Sequence, residues 1–320
     1  MNLALCAKLG TEPSFAISPV AREERRRCFW SILLLKRLYG GDLPNIDFPD
    51  DIYPPFPESP NVPPLIPSEE NTDLQDQGII VYVIMLSEVF VKTSRYVRRH
   101  GKPSSVPPWS SQSEYSEILA LQMEMETRVP YTHRFKLARL SERTGEDLQT
   151  HRDYWGPWFL NQFIYHTNLC LLNHPLLLSL SLRNFRSSIP EIFLQHTSDL
   201  ISSHTTWIIY FIDYFEEKSF KVSDPLLGYG AAVVATIELQ LSFTEKKTIR
   251  KEKQDRFLKC VRFVEKIGQT WPHMARMVRH STAWLIGIYW LTSIRLSDCK
   301  CCKMQYLLLT SQTQTHKTKA

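Results

Sequence analysis

The sequence predicts an all-α fold: an irregular multi-helix bundle with a proline-rich strap between two of its helices. Three observations lead there. Long stretches carry apolar residues at the 3.6-residue period, whereas strand-type alternation is scarce. Glycine is rare, 11 of 320 residues, and nine of the 20 prolines gather between positions 42 and 67 instead of punctuating the whole chain. Hydrophobic residues make up 43% and charged residues 22%, the balance of a folded protein long enough to bury a sizeable core.

In chain order, residues 1–10 read as the end of a helix closed by Gly10, so the chain is expected to begin in mid-domain, and 12–19 as a connector. The next stretch, Glu23 to Tyr39 (EERRRCFWSILLLKRLY), organises the rest. A charged run leads into Phe29, Trp30, Ile32, Leu33, Leu34 and Leu35, and Lys36 and Arg37 return the chain to water. Cys28, Ile32, Leu35 and Tyr39 share helical spacing, as do Trp30, Leu33, Leu34 and Leu38, which predicts a wide apolar stripe and a helix half to mostly buried. Gly40-Gly41 stops it. The prolines of 42–67 exclude a helix or a central strand, leaving an extended strap over helices or an exposed linker.

A strongly apolar helix is predicted from Gln77 to Arg99, ending at His100-Gly101. Residues 102–111 form a second Pro/Ser linker, and an amphipathic helix runs from a Ser113 cap to Thr127. Residues 130–149 are polar, with no firm period. From His151 to Ser181 the period is helical again, with Pro175 set to kink or end it because it removes a donor and crowds the preceding turn. Further helices are expected over 189–218, 224–243, 251–278 and 283–294. Asp224-Pro225 marks a break, and Ala231, Ala232 and Ala235 permit close helix approach. Residues 296–320 have no sustained period and read as a disordered tail.

Net charge is +5 with no single basic stripe, so solvated helix faces explain it better than a nucleic-acid surface. Arg95, Arg98, Arg99, His100 and Lys102 suit a helix C-terminus. Seven cysteines, an odd number on mostly apolar faces, fit reduced thiols. No apolar run reaches the ~20 residues of a spanning helix, and no basic-start leader opens the chain. His166, Cys170 and His174 share one helical face, yet a structural zinc site needs a fourth ligand and none is close in sequence. Cys299, Cys301 and Cys302 form C-x-C-C, which cannot supply the six thiolates of a binuclear zinc cluster. Asp50-Asp51 cannot hold magnesium in the manner of an aspartate-rich helix, because Pro54 follows. Trp155, Trp158, Phe159 and Phe163 read as core. Phosphate loops and nucleophile elbows do not occur, so no catalytic residue is assigned and the chain is not expected to be an enzyme.

Glu23, Arg26, Arg27, Phe29, Trp30, Ser31, Leu34 and Arg37 resemble the signature helix of the fungal-specific transcription factor domain, the helical middle region of zinc-cluster (Zn2Cys6) regulators. Lys36 stands where that family usually has Asp. The acidic, proline-containing stretch around Asp47, Asp50, Asp51, Ile52 and Pro55 is similar to the one that follows that helix. Tyr165, His166, Leu169, Leu171, Leu172, His174 and Pro175 resemble its long helix ending before His-Arg-Pro. The resemblance spans roughly residues 1–295, with 296–320 unrelated. It implies a regulatory domain in the nucleus that controls RNA polymerase II transcription, with Glu23, Arg26, Arg27, Phe29, Trp30, Arg37, His174 and Pro175 as structural motif residues. Expected partners are transcription machinery or regulatory proteins, a small-molecule effector, a second copy in a homodimer, and DNA only through an N-terminal module absent from these residues. Zinc is expected only in that module, so no cofactor is assigned here. The implied mechanism is a helical bundle whose packing an effector or partner biases. The alternatives are a stand-alone helical ligand-binding or dimerisation protein without DNA binding, and an all-α enzyme.

Overall fold

The computed structural model describes residues 9–11, 16–40, 53–63, 76–99, 106–243 and 247–276. Among these residues every regular element is helical and there is no strand. The chain divides into two compact units, Met1–Lys92 with Gln122–Asn161, and Thr93–Leu121 with Gln162–Ala320.

The first unit opens with α1 (Pro19–Tyr39). Its start precedes the expected Glu23 because Ser18 accepts the Ala21 N–H at 3.2 Å and Pro19 fills the first helical position, where a missing donor costs nothing. Phe29, Trp30, Leu33 and Leu38 are buried. The other predicted seam is not: Cys28 is exposed, Ile32 is half-buried, and Leu35 and Tyr39 are 59% and 40% exposed. The buried stripe is therefore narrower than expected, one seam that meets Ile84 of α2 (Ile79–Arg99), with Tyr53 and Ile80 packed against the same cluster. Residues 53–63 are extended. Five of these eleven residues are proline, which holds the backbone open and removes donors.

The polar stretch after α3 (Glu114–Arg128) becomes a chain of short turns: 3₁₀ turns at Tyr131–His133 and Leu140–Glu142, α4 (Phe135–Ala138) and α5 (Gly145–Thr150). Arg139, at φ 45°, separates two of them. The first half of α6 (Arg152–Leu172) seats Trp155, Trp158 and Phe159 at 0% exposure, the core role expected of them.

In the second unit Ser113 caps α3, accepting the Ser116 N–H at 3.1 Å. Ahead of it Trp109 packs edge-on against Phe185 and Phe193, so the Pro/Ser segment is anchored by an aromatic. Pro175 ends the helical stretch that begins near His151, as expected of it: α6 stops at Leu172, and Pro175 takes the first position of α7 (Pro175–Ser181). Next come α8 (Glu191–Glu217), α9 (Pro225–Leu241) and α10 (Lys247–Gly268). Asp224 caps α9 by accepting the Leu226 N–H at 2.8 Å. Ala231 and Ala235 are buried in α9, and the tightest approach seen on this helix is at Gly230 beside them, where a Cβ would stand 2.5 Å from Thr167 Oγ1 and 3.3 Å from Phe163. The helix expected over 251–278 starts earlier and breaks at Gly268. A turn follows, and residues 272–276 are helical again. A Cβ on Gly268 would stand 3.1 Å from Ala275 Cβ and N, so the chain folds back tightly on itself there.

No helix among the described residues is long and apolar enough to cross a membrane. The expectations for residues 1–8, 41–52, 64–75, 100–105, 283–294 and 296–320, including Asp50-Asp51, His100, Lys102 and the C-x-C-C group, lie outside the described residues.

Candidate functional site

The signature residues of α1 and the proline strap form one assembly in the first unit. Trp30 is 6% exposed and its indole stacks with both Tyr53 (centroids 5.6 Å apart, planes 16°) and Phe56 (4.8 Å, 29°). Its Nε1–H donates to the Pro55 carbonyl at 3.1 Å. Phe29, buried to 1% exposure, meets Trp30 edge-on at 5.4 Å and Tyr53 at 6.1 Å. One turn or more earlier, Glu23 accepts the Glu58 N–H at 2.9 Å, and Arg27 donates to the Glu58 carbonyl at 3.3 Å. Arg27 Nε also donates to Glu23 at 2.8 Å, so the two side chains grip both backbone groups of one residue as a pair. Arg26 Nη1 lies 4.0 Å from Glu23.

The magnitudes rank these contacts. An exposed ion pair contributes at most about 1 kcal/mol, whereas two stacked aromatic contacts contribute about 0.5–1.5 kcal/mol each beyond their burial. The aromatic clamp holds the strap, and Glu23 and Arg27 set its register. Placing an indole donor against a proline-flanked carbonyl is the same chemistry by which aromatic grooves receive extended proline segments. Here that segment belongs to the same chain.

Arg37 faces another element. It donates to the Ile84 carbonyl at 3.1 Å and lies 3.6 Å from Glu88. Ser87 donates to the same carbonyl at 2.6 Å, so Arg37 ties α1 to a point where the α2 backbone already has a competing side-chain bond. Beside the strap, Pro19, Val20, Glu23, Glu24, Arg27 and Glu58 line an open depression of about 380 Å³. Its walls combine the apolar surfaces of Pro19 and Val20 with three glutamates and the Arg27 side chain.

In the second unit His174 is 7% exposed and precedes Pro175. Its Nε2 lies 2.9 Å from Thr236 Oγ1. Thr236 donates its hydroxyl proton to the Val233 carbonyl at 2.7 Å, so His174 must be the donor, from Nε2. That leaves Nδ1 as a buried acceptor with no hydrogen-bond partner, and burial lowers the pKa to about 4. His166 Nδ1 meets His204 Nδ1 at 2.8 Å, which requires one ring to donate and the other to accept; burial lowers both pKa values, that of His204 to about 4. Cys170 is buried, and burial first, then the Glu238 carboxylate, pushes its thiol up. His166 and His174 thus serve separate contacts, with His204 and Thr236, and Cys170, between them in sequence, is buried. Among the described residues no three His, Cys, Asp or Glu side chains converge as a metal site.

Several polar groups were missed by sequence reasoning. Asp76 pairs with His133 Nε2 at 2.9 Å, and His133 Nδ1 meets the Tyr154 hydroxyl at 3.0 Å. Buried Arg143 donates to the Pro63 carbonyl at 2.7 Å, pairs with Asp147 at 3.0 Å and lies over the Trp155 ring, fixing the far end of the strap. Glu238, fully buried in α9, sits 3.0 Å from Lys253 and 3.3 Å from Arg256 of α10. A lone carboxylate in the apolar run Val233–Leu241, followed by a basic helix, was a usable signal for that pair. Nothing local announced the pairing of Asp76 with His133, 57 residues away. The i,i+4 spacing of Arg143 and Asp147 was visible, but not the bond from Arg143 to the Pro63 carbonyl, 80 residues away. Comparison of the chain with protein-family models, curated proteins and solved structures finds no match.

Proposed function

We propose that this chain is a regulatory, effector- or partner-responsive helical domain of a fungal zinc-cluster transcription factor, acting on RNA polymerase II transcription in the nucleus. One observation carries the reading. Glu23, Arg27, Phe29 and Trp30, four of the residues that carry the family resemblance, converge on a single role, which is to bind the proline strap. A strap held by a few contacts of about 1 kcal/mol each is an element whose position a partner or effector can bias. DNA contact and zinc belong, in this reading, to a separate zinc-cluster module, and no residue of this chain is assigned to either.

The test is to tether residues 1–320 to a heterologous DNA-binding domain in a fungal reporter strain. The tethered chain changes reporter output, in either direction, and Trp30→Ala alters that effect without lowering protein level. Output equal to that of the DNA-binding domain alone, for both wild type and variant, contradicts the reading.

A further inference from the structure

Two serines in the sequence precede proline, Ser18 and Ser59, and they do different work. Ser18 is exposed and caps its own helix through the Ala21 N–H. Ser59 is half-buried in the extended strap, and its hydroxyl caps a helix to which it does not belong. Gly78 stands at the N-cap position of α2 with φ 83° and no side chain, so it cannot supply the oxygen that the first turn needs. Ser59 Oγ supplies it, accepting the Ile80 N–H at 3.3 Å. The fit is close: a Cβ on Gly78 would stand 2.2 Å from Ser59 Cβ and 2.6 Å from its Oγ. The residue before Ser59 is the one whose N–H and carbonyl Glu23 and Arg27 hold. Ser59 is therefore where strap, α1 and α2 meet.

We propose that Ser59 is a proline-directed phosphorylation site, and that its phosphate releases the strap from α1 and from the start of α2. The substrate chemistry is present. Ser59-Pro60 lies in extended backbone, with proline immediately after the hydroxyl, which is the form in which a kinase groove reads a Ser-Pro segment. Ser59 Oγ attacks the γ-phosphorus of a nucleoside triphosphate and forms the Oγ–P bond. The bond from that phosphorus to the β–γ bridging oxygen breaks, the nucleoside diphosphate leaves, and the hydroxyl proton passes to the kinase's base.

Release follows from charge and space together. A phosphoserine adds about −1.5 to −2 charges at neutral pH. A helix N-terminus ordinarily stabilises such a group, but this one already holds the Asp76 carboxylate, whose Oδ1 accepts the Gly78 N–H at 2.8 Å. Glu23 and Glu58 add negative charge on the α1 side, and Arg27 is engaged with Glu23 and the Glu58 carbonyl. The serine is also seated directly on Gly78, so added bulk at Oγ works against the contact that seats it.

The experiment uses the full chain, a proline-directed serine/threonine kinase and Mg-ATP, with phosphosites mapped by mass spectrometry and hydrogen exchange measured on the product. A synthetic peptide of residues 53–63 reports that the kinase is active. Phosphate is expected on Ser59 in the protein, lost in Ser59→Ala and in Pro60→Ala. The Glu58 and Ile80 amides of the phosphoprotein are expected to exchange about tenfold faster than in the unmodified protein. Ser18→Ala leaves both results unchanged. Modification of the peptide but not of Ser59 in the protein overturns the proposal, and so does a Ser59-phosphorylated protein whose Glu58 and Ile80 amides exchange at the unmodified rate.

Discussion

Replacing Trp30 separates the two ways in which it holds the strap. Trp30→Ala removes a side chain that is 6% exposed together with both ring stacks, and large-to-small changes at such aromatic positions cost about 3–5 kcal/mol. One wall of the site is a strap that can collapse toward the gap, so the lower end, about 3 kcal/mol, is expected. Trp30→Phe keeps a ring that can stack with Tyr53 and Phe56 and deletes the Nε1–H bond to Pro55. Pro55 is exposed, so water replaces the donor and the loss is limited to about 1 kcal/mol, plus a little stacking area. Urea unfolding followed by circular dichroism reads both, provided the m-value stays constant. Equal costs for the two variants, or a Trp30→Ala cost below about 1 kcal/mol, refute the clamp.

Glu238→Ala removes the carboxylate that pairs with Lys253 and Arg256, whose side chains are only 15% and 18% exposed. Arg256 keeps Thr206 and Glu252, so the expected cost in the same urea assay is the low end for a broken buried pair, about 3 kcal/mol. A change under about 0.5 kcal/mol contradicts the buried pairing. Acid should weaken the fold through the buried imidazoles. The pKa values of His174 and His204 fall to about 4 in the folded chain, against an ordinary value of about 6.5. The unfolded chain therefore takes up protons first, and stability is full above about pH 6.5 and lost progressively as pH falls toward 4. His133 and His166 are lowered too and act in the same direction. Between pH 7.5 and 5 the urea midpoint should drop, and the drop should shrink in the double variant His174→Gln/His204→Gln. A midpoint constant over that range contradicts the reasoning.

The helices were legible where period and punctuation agreed. The α2 run is apolar from its first turn, and Asp224-Pro225 fixed the start of α9 through a capping carboxylate and a proline at the first helical position. Boundaries slipped where the signal was a pair of residues that reads equally well as a connector. Ser18-Pro19 begins α1, yet sits ahead of the first apolar residue of the period. Exposure on α1 could not be read at all from spacing: Cys28, Ile32, Leu35 and Tyr39 satisfy helical geometry as well as the buried seam does, and only tertiary packing decides which stripe is covered. The site was half visible. Phe29 and Trp30 announced an aromatic anchor and the prolines announced an extended segment, but their meeting is a contact across 25 residues. Gly78 gave no hint that its helix would be capped by a serine 21 residues before Ile80.

Whether α1 holds the strap is measured most directly by amide exchange at Glu58, since its N–H is the one that Glu23 accepts. In the wild-type chain this amide is predicted to exchange well below the free-peptide rate, and Glu23→Gln and Trp30→Ala should each accelerate it, Trp30→Ala more. A Glu58 amide that already exchanges at the free-peptide rate in the wild type, or one that neither substitution accelerates, contradicts the latch.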